Sequence, residues 1–393
     1  MQPAVAFLAR GSLFLKIDDQ PPRDIQSAFA QGVLDRQARA QEVDGWKANS
    51  GAWGEMGMAS PELAQWQMAD QRRQVLFKSV TAGDDPNQLY YLLGVGDMGG
   101  LFQYTIPEDL ERRLMHKNGF AAKDLSRRKG TGEMAISVAR ENGTTGILVG
   151  ENDGRFLQDR TTGDSIDESP SWVEGDACRL VYQSAGIGRD ENGYAVGLSP
   201  YRIETLDLDK KSIDTLLEED HVDLLQPKHT TDGTLYFIRR PYQPQGREQP
   251  SAMAVLKDIL LFPFRLGRAV FHFLDFFSMM FSGKPLTSAG GPQRKLNDQR
   301  YIMLWGRMID TKQAMQKSQK QDSKSLVPKE WELVKRTPEG EETVLAERVL
   351  SFDVAENGKI VYTDGTVVFS RDEQGNVSEI CSDRLIEKVI LVQ

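Results

Sequence analysis

Short runs in which hydrophobic and polar residues alternate recur along the chain, and many are paired across Asn-Gly, Asp-Gly or Gly-Asp. This arrangement predicts antiparallel hairpins, because a two-residue loop needs positive φ, which Gly and Asn adopt at low cost. Four such pairs stand out: residues 136–149 around Asn142-Gly143, 172–183 around Gly175-Asp176, 226–239 around Asp232-Gly233, and 350–362 around Asn357-Gly358. Further strand-like runs follow at 155–159, 201–208 and 366–370, and a Gly375-Asn376 turn leads into 377–381. Strands at this spacing predict an all-β chain built as a sandwich, a barrel or a propeller.

The stretch Glu168-Ser-Pro-Ser-Trp-Val-Glu-Gly-Asp-Ala-Cys-Arg-Leu-Val-Tyr-Gln-Ser184 separates these three. It resembles the WD40-like repeat of TolB-type β-propellers, in which a blade opens with Ser/Pro and Trp, turns through an Asp/Asn-Gly pair and continues into an apolar strand. The third strand of that pattern is matched by Tyr201 to Asp209, delayed here by a Gly-rich loop from Gly186 to Gly197. Residues 226–237 and 352–362 keep the turn and second strand but lack the Trp, and 136–149 lacks the Pro as well. The resemblance implies a β-propeller. It transfers no binding residue, because propeller functions are too varied to carry over by fold.

A circular propeller must pair its last blade with its first to avoid a raw sheet edge. Leu385 to Val392 is a strand with no hairpin partner nearby, while Val5 to Leu8 and Ser12 to Ile17 lack an inner strand, so the C-terminal strand is expected to complete blade one. Blades near 1–30, 75–115, 125–165, 168–220, 222–345 and 349–384 then give six. In the second, Gly94-Val-Gly-Asp-Met-Gly-Gly100 spells G-x-G-x-x-G, but the strand-like Leu101 to Ile106 follows where a dinucleotide site needs a helix, so a hairpin loop is expected.

Two regions depart from a bare propeller. Residues 31–74 are polar and helix-prone, with Trp46, Trp53 and Trp66 and a helix start at Ser60-Pro61-Glu62, and read as a helical connection covering a propeller edge or as a partner-docking arm. Residues 245–325 read as a helical insertion in blade five, dividing the propeller into 1–244 and 326–393. Residues 254–282 are rich in Phe, Leu and Met, and Asp258, Arg265, Arg268, His272, Asp275 and Ser282 fall along one helical stripe. Charges divide the stretch too often for a membrane span. From Lys284 to Lys324 nine basic residues face three acidic ones, a local charge of +6.

These features give the insertion three readings: docking on an anionic membrane surface, association with a partner or a second copy through 254–320, or packing on its own propeller. The first draws on about 1 kcal/mol per basic residue near headgroups and roughly 1.5–3 kcal/mol per inserted Phe or Leu. The candidate contact residues are Leu260, Phe264, Phe271, Phe273, Leu274, Phe277 and Phe281, with Arg294, Lys295, Arg300 and the interfacial Trp305.

Composition narrows the chemistry. The net charge of -9 over 393 residues excludes a whole-domain nucleic-acid binder. Two cysteines, Cys178 and Cys381, form no disulfide framework or zinc spacing, and the first ten residues read as a strand rather than a signal peptide, so a cytoplasmic location is expected. None of His116, His221, His229 and His272 has metal-ligand spacing, and Gly197-Leu-Ser-Pro-Tyr201 fails the nucleophile-elbow pattern at its last position. The acidic clusters at 207–209 and 218–220 and the basic run Arg127-Arg-Lys129 read as solvated loop charge. The expectation is a non-enzymatic scaffold without cofactor or metal, binding a protein partner on the propeller face. The alternatives are a soluble assembly subunit and a hydrolase or lyase with its site at the central channel.

Overall fold

The computed structural model describes residues 3–49, 75–173, 175, 178–243, 301–304, 307–310 and 325–392. The chain opens with β1 (Val5–Ala9), β2 (Ser12–Lys16), β3 (Arg23–Ile25) and the helix α1 (Ala28–Asn49). Next come β4 (Val75–Ala82), β5 (Gln88–Val95), β6 (Met98–Thr105) and β7 (Leu110–Asn118), followed by β8 (Ala122–Arg127), β9 (Met134–Ala139), β10 (Thr145–Gly150) and the two-residue β11 (Gln158–Asp159). The middle of the chain forms β12 (Ser165–Trp172), β13 (Arg179–Arg189), β14 (Ala195–Leu198), β15 (Arg202–Asp207) and β16 (Ser212–Leu217). Then follow β17 (Val222–His229), β18 (Leu235–Pro241), β19 (Tyr301–Leu304), β20 (Arg307–Asp310), β21 (Glu332–Arg336) and β22 (Glu342–Glu347). The last strands are β23 (Ser351–Val354), β24 (Ile360–Thr363), β25 (Val367–Arg371), β26 (Val377–Ser382) and β27 (Ile386–Leu391).

Four sheets are four-stranded and antiparallel: β27-β1-β2-β3, β4-β5-β6-β7, β17-β18-β21-β22 and β23-β24-β25-β26. The sets β8–β11 and β12–β16 form two more, joined into one nine-stranded sheet by a parallel bridge at Thr145 and Ile166. The late strand β27 pairs antiparallel with β1 along its length. Burial falls outward within each set: β1 is buried throughout, whereas β7, β16 and β22 are largely exposed.

The apolar core is divided into clusters that lie between one sheet and the next. Ala6, Leu8 and Leu13 of the first sheet meet Phe77, Tyr91 and Phe102 of the second together with Ala30 and Val33 of α1. Equivalent clusters join the second to the third at Leu92, Leu101, Leu125 and Ile136, the third to the fourth at Ile147 and Trp172, and the fourth to the fifth at Val181 and Phe237. Val361 and Val368 of β24 and β25 close onto Phe7 and Val389. The first four sheets thus each bury both faces against neighbours.

The predicted hairpins form, with Gly143 at φ 84° and Gly233 at φ 85° in their turns. The G-x-G-x-x-G segment is the tight β5–β6 hairpin, turning at Gly96-Asp97. Four expectations need correction. Residues 155–157 are not strand: Asp153 accepts the Arg155 amide in a local turn, and Phe156 takes φ 52°, leaving only Gln158–Asp159 extended. The Gly-rich segment 186–197 is not a loop; it extends β13 and folds back as β14. The basic run at 127–129 is ion-paired throughout, as described below. Finally, residues 301–304 and 307–310 pair as an antiparallel β-hairpin instead of continuing a helix; Tyr301 to Leu304 is a short unbroken apolar run, which suits a strand as well as a helix.

The helix-prone connection forms over Ala28–Asn49, earlier than expected, because Ser27 caps it: Ser27 Oγ accepts the Ala30 amide at 3.1 Å. Trp53, Trp66 and the Ser60-Pro61-Glu62 start lie outside the described residues, as does the packing of Trp46. Among the described residues no helix is long and apolar enough to cross a membrane.

Candidate functional site

The first strand of each set is joined to the next by polar contacts. Lys388 of β27 donates to Ser79 Oγ of β4 at 2.7 Å and to Asp124 of β8 at 3.1 Å. Ser79 Oγ also accepts the Leu125 amide of β8, at 3.1 Å. From β8 to β12, Lys123 pairs with Glu168 at 2.5 Å, Asp124 accepts the Ser169 amide at 3.3 Å, and Ser126 Oγ accepts the Trp172 amide. Gln183 beside β12 accepts the Gln226 amide of β17 at 2.8 Å, and Gln226 donates to the Leu350 carbonyl. Lys228 pairs with Asp353 of β23, which accepts the Leu391 amide of β27 at 2.8 Å. The contacts that leave β27 return to it.

Local backbone irregularities present these groups. β-Bulges interrupt pairing at Phe77/Ser79, Ala122/Asp124, Glu168/Ser171 and Leu225/Lys228, with Ser169 at φ 50° and Gln226 at φ 51°. Each bulge re-aims side chains out of the ladder. Burial pushes the Glu168 carboxyl above its ordinary range against the pull of Lys123, and burial raises Glu387 against the pull of Lys78.

Contacts between first strands ascend together, 123 to 168, 124 to 169 and 126 to 172, so these strands run parallel. First-to-second and third-to-fourth connections therefore share one end, and the remaining connections share the other. The first end is drawn together by ion pairs. Arg127 meets Asp84 at 2.7 Å, Arg128 meets Glu133 at 2.7 Å, and Lys129 reaches Glu356 in the β23–β24 turn at 2.8 Å. Arg127 also stacks over Tyr90 and Arg128 over Trp172.

The second end is elaborated. It carries α1 in the β3–β4 connection, the projecting β13–β14 hairpin, and the points where the chain leaves β18 and returns to β21. Tyr194 and Val196 on the hairpin are 71% and 57% exposed. Residues re-entering after the connection are buried at Leu326, Val327 and Trp331.

Leu260, Phe264, Phe271, Phe273, Leu274, Phe277, Phe281, Arg294, Lys295, Arg300 and Trp305, the sequence-predicted contact residues, lie outside the described residues. The elaborated hairpin was missed because glycines at 186, 188, 193 and 197 read as loop. The first-strand polar contacts were missed because their partners lie tens of residues apart. A spacing of 45 or 46 between matching polar positions was the available signal.

Among the described residues no group of His, Cys, Asp and Glu side chains is arranged to hold a metal ion. Cys178 and Cys381 are free thiols, and burial pushes Cys381 up to about 11. His116 packs against Phe29, and burial lowers the proton affinity of His229.

No protein-family model and no curated protein matches the sequence. Solved structures do resemble it. The chain aligns with TolB from Acinetobacter baumannii at a TM-score of 0.52 and 10% identity, over 99% of this chain and 66% of that one. It is similar to a chain of a nidogen/laminin complex at 0.49 and 7% identity, covering 100% and 99% of the two chains. A tricorn protease matches at 0.49 and 10% identity, over 99% of this chain and 34% of that one. The fold is that of a TolB-like β-propeller. A fold of this kind does not choose between binding and catalysis.

Proposed function

We propose that the chain is a six-bladed propeller whose ring is completed by β27, and that it serves as a non-enzymatic scaffold binding a protein partner at its elaborated end. The run of polar contacts through β27, β4, β8, β12, β17 and β23 and back to β27 supports six blades around one axis. The difference between the two ends carries the functional reading. One end has short turns tied by ion pairs, including Lys129 to Glu356, while the other bears α1, the exposed Tyr194 and Val196, and the points where the chain leaves β18 and returns to β21. Rigid blades with variable connections at one end make a broad docking platform. Exposed aromatic and aliphatic side chains on an ordered hairpin suit the centre of such a contact.

The insertion is proposed to hold this platform on an anionic membrane surface. The Phe-rich stretch at 254–282 and the +6 segment that follows support that reading. Two arms test the whole. Tyr194→Ala with Val196→Ser should leave thermal stability unchanged while reducing partner capture from native membranes by about tenfold, the loss expected of a hot-spot aromatic. Capture at wild-type strength would remove the hairpin from the interface. In flotation with anionic vesicles the protein should rise with the lipid, and Phe273→Asp with Phe277→Asp should leave it at the bottom. A wild-type protein that ignores the vesicles, with the double variant altering only oligomer size, would replace membrane attachment by assembly through the insertion.

A further inference from the structure

A cavity of about 880 Å³ opens at the elaborated end, beneath α1 and between the second and third blades. Val33 of α1, Val95 and Met98 of the β5–β6 hairpin, and Phe120 and Ala122 around the β7–β8 link give it a largely apolar wall. Its size and composition fall in the range of small-molecule sites, which run from about 300 to 1,000 Å³ and place a few polar groups in an apolar lining.

The polar groups are unevenly committed. Lys123 reaches the cavity but is held by Glu168 at 2.5 Å. Lys78, exposed on the bulge of β4, lies against Gly94 at the rim and has no hydrogen bond or ion pair among the described residues, which leaves its ammonium free to meet a ligand. Its charge acts on Glu387, lowering a carboxyl that burial raises, without forming an ion pair with it among the described residues. Gln37, half-buried, and Asn118, exposed, line the same space, and their side chains are likewise without hydrogen-bond partners among the described residues. Asp97 stands at the exposed tip of the β5–β6 turn, where it disfavours a second negative charge near the mouth.

We propose that this cavity binds a small amphipathic monocarboxylate, its apolar body between α1 and the β5–β6 hairpin and its carboxylate on Lys78, with the Gln37 and Asn118 amides as donors. The site is independent of the partner surface on Tyr194 and of the insertion.

Calorimetric titration of the full chain with decanoate, decanol and decylamine, each below its micellar concentration, tests this. Decanoate should bind a single site at least about tenfold more tightly than decylamine, the scale of one hydrogen bond to a charged group. Lys78→Met should bring decanoate down to the affinity of decanol and leave decanol unchanged. Ala121→Trp, at an exposed wall position, should melt like the wild type and bind none of the three. The proposal is overturned if no probe binds, if decylamine matches decanoate, or if Lys78→Met leaves decanoate binding intact. Binding that persists in a normally folded Ala121→Trp protein would place the probes elsewhere. Should Ala121→Trp fail to fold, the decanoate-against-decanol comparison in Lys78→Met decides alone.

Discussion

Glu168 is buried on β12 with Lys123 at 2.5 Å, and its carboxyl still titrates above the usual carboxylate range because lost hydration outweighs the lysine's pull. A folded-state pKa raised above the unfolded value contributes stability that is complete below the unfolded value and is lost as pH rises through the folded one. The upward shift therefore weighs against the fold as pH rises above the ordinary carboxylate range. Lys123 keeps 42% of its side chain in contact with solvent and so tolerates loss of the negative partner. Glutamine keeps one acceptor oxygen for Lys123 and gives up the long 3.4 Å contact that Glu168 receives from the Gln183 amide. Glu168→Gln should match the wild type in acid and exceed it by about 1 kcal/mol at pH 8, the scale of a single buried polar group. Denaturant unfolding across pH 4 to pH 8 reads the difference, and a variant less stable at the alkaline side would show that the ion pair holds β8 to β12.

At the scale of the element, α1 is fixed at its start. Ser27 Oγ caps the Ala30 amide, and Glu111 of β7 accepts from Ser27 Oγ at 2.6 Å, the Phe29 amide at 2.9 Å and Tyr91 Oη at 2.5 Å. A carboxylate at a helix N-terminus also meets the positive end of the backbone dipole. Ser27→Ala should cost about 1 kcal/mol and speed proteolytic cleavage within α1, read by unfolding and by a digestion time course; unchanged cleavage would put the anchor in Phe29 packing instead. The hairpins at 136–149 and 226–239 were legible in the sequence because turn chemistry and strand alternation agree there. The cap was not: Ser27 precedes a run interrupted by Gly32, and its partner Glu111 is distant in sequence. Residues 155–157 were misread because apolar Phe156 and Leu157 carry a strand's composition while Asp153 and Gly154 impose a turn. The first-strand bulges left no mark in the hydrophobic pattern, since they shift register by a single residue.

The whole molecule turns on β27. It covers the edge of β1, whose five residues are all buried, and sends Lys388 to β4 and β8 while its Val389 and Leu391 amides bond to Ser351 and Asp353 of β23. One strand thus touches three neighbouring blades as well as its own sheet. In an open row of sheets, removing an end strand costs one edge. In a closed ring it also frees the blades on both sides, so the loss spreads. Deletion of residues 385–393 should abolish the cooperative calorimetric transition and drive association through the bared β1 edge. A milder change separates closure from pairing. Lys388→Met keeps the β27–β1 ladder but leaves Asp124, 7% exposed, without its cation. It should cost about 3 kcal/mol, the scale of breaking one partner of a buried ion pair. The transition should stay single if the blades form one ring. Two separated transitions in Lys388→Met would mean that the sheets on either side of β27 melt independently, and the six-bladed closure would fail with them.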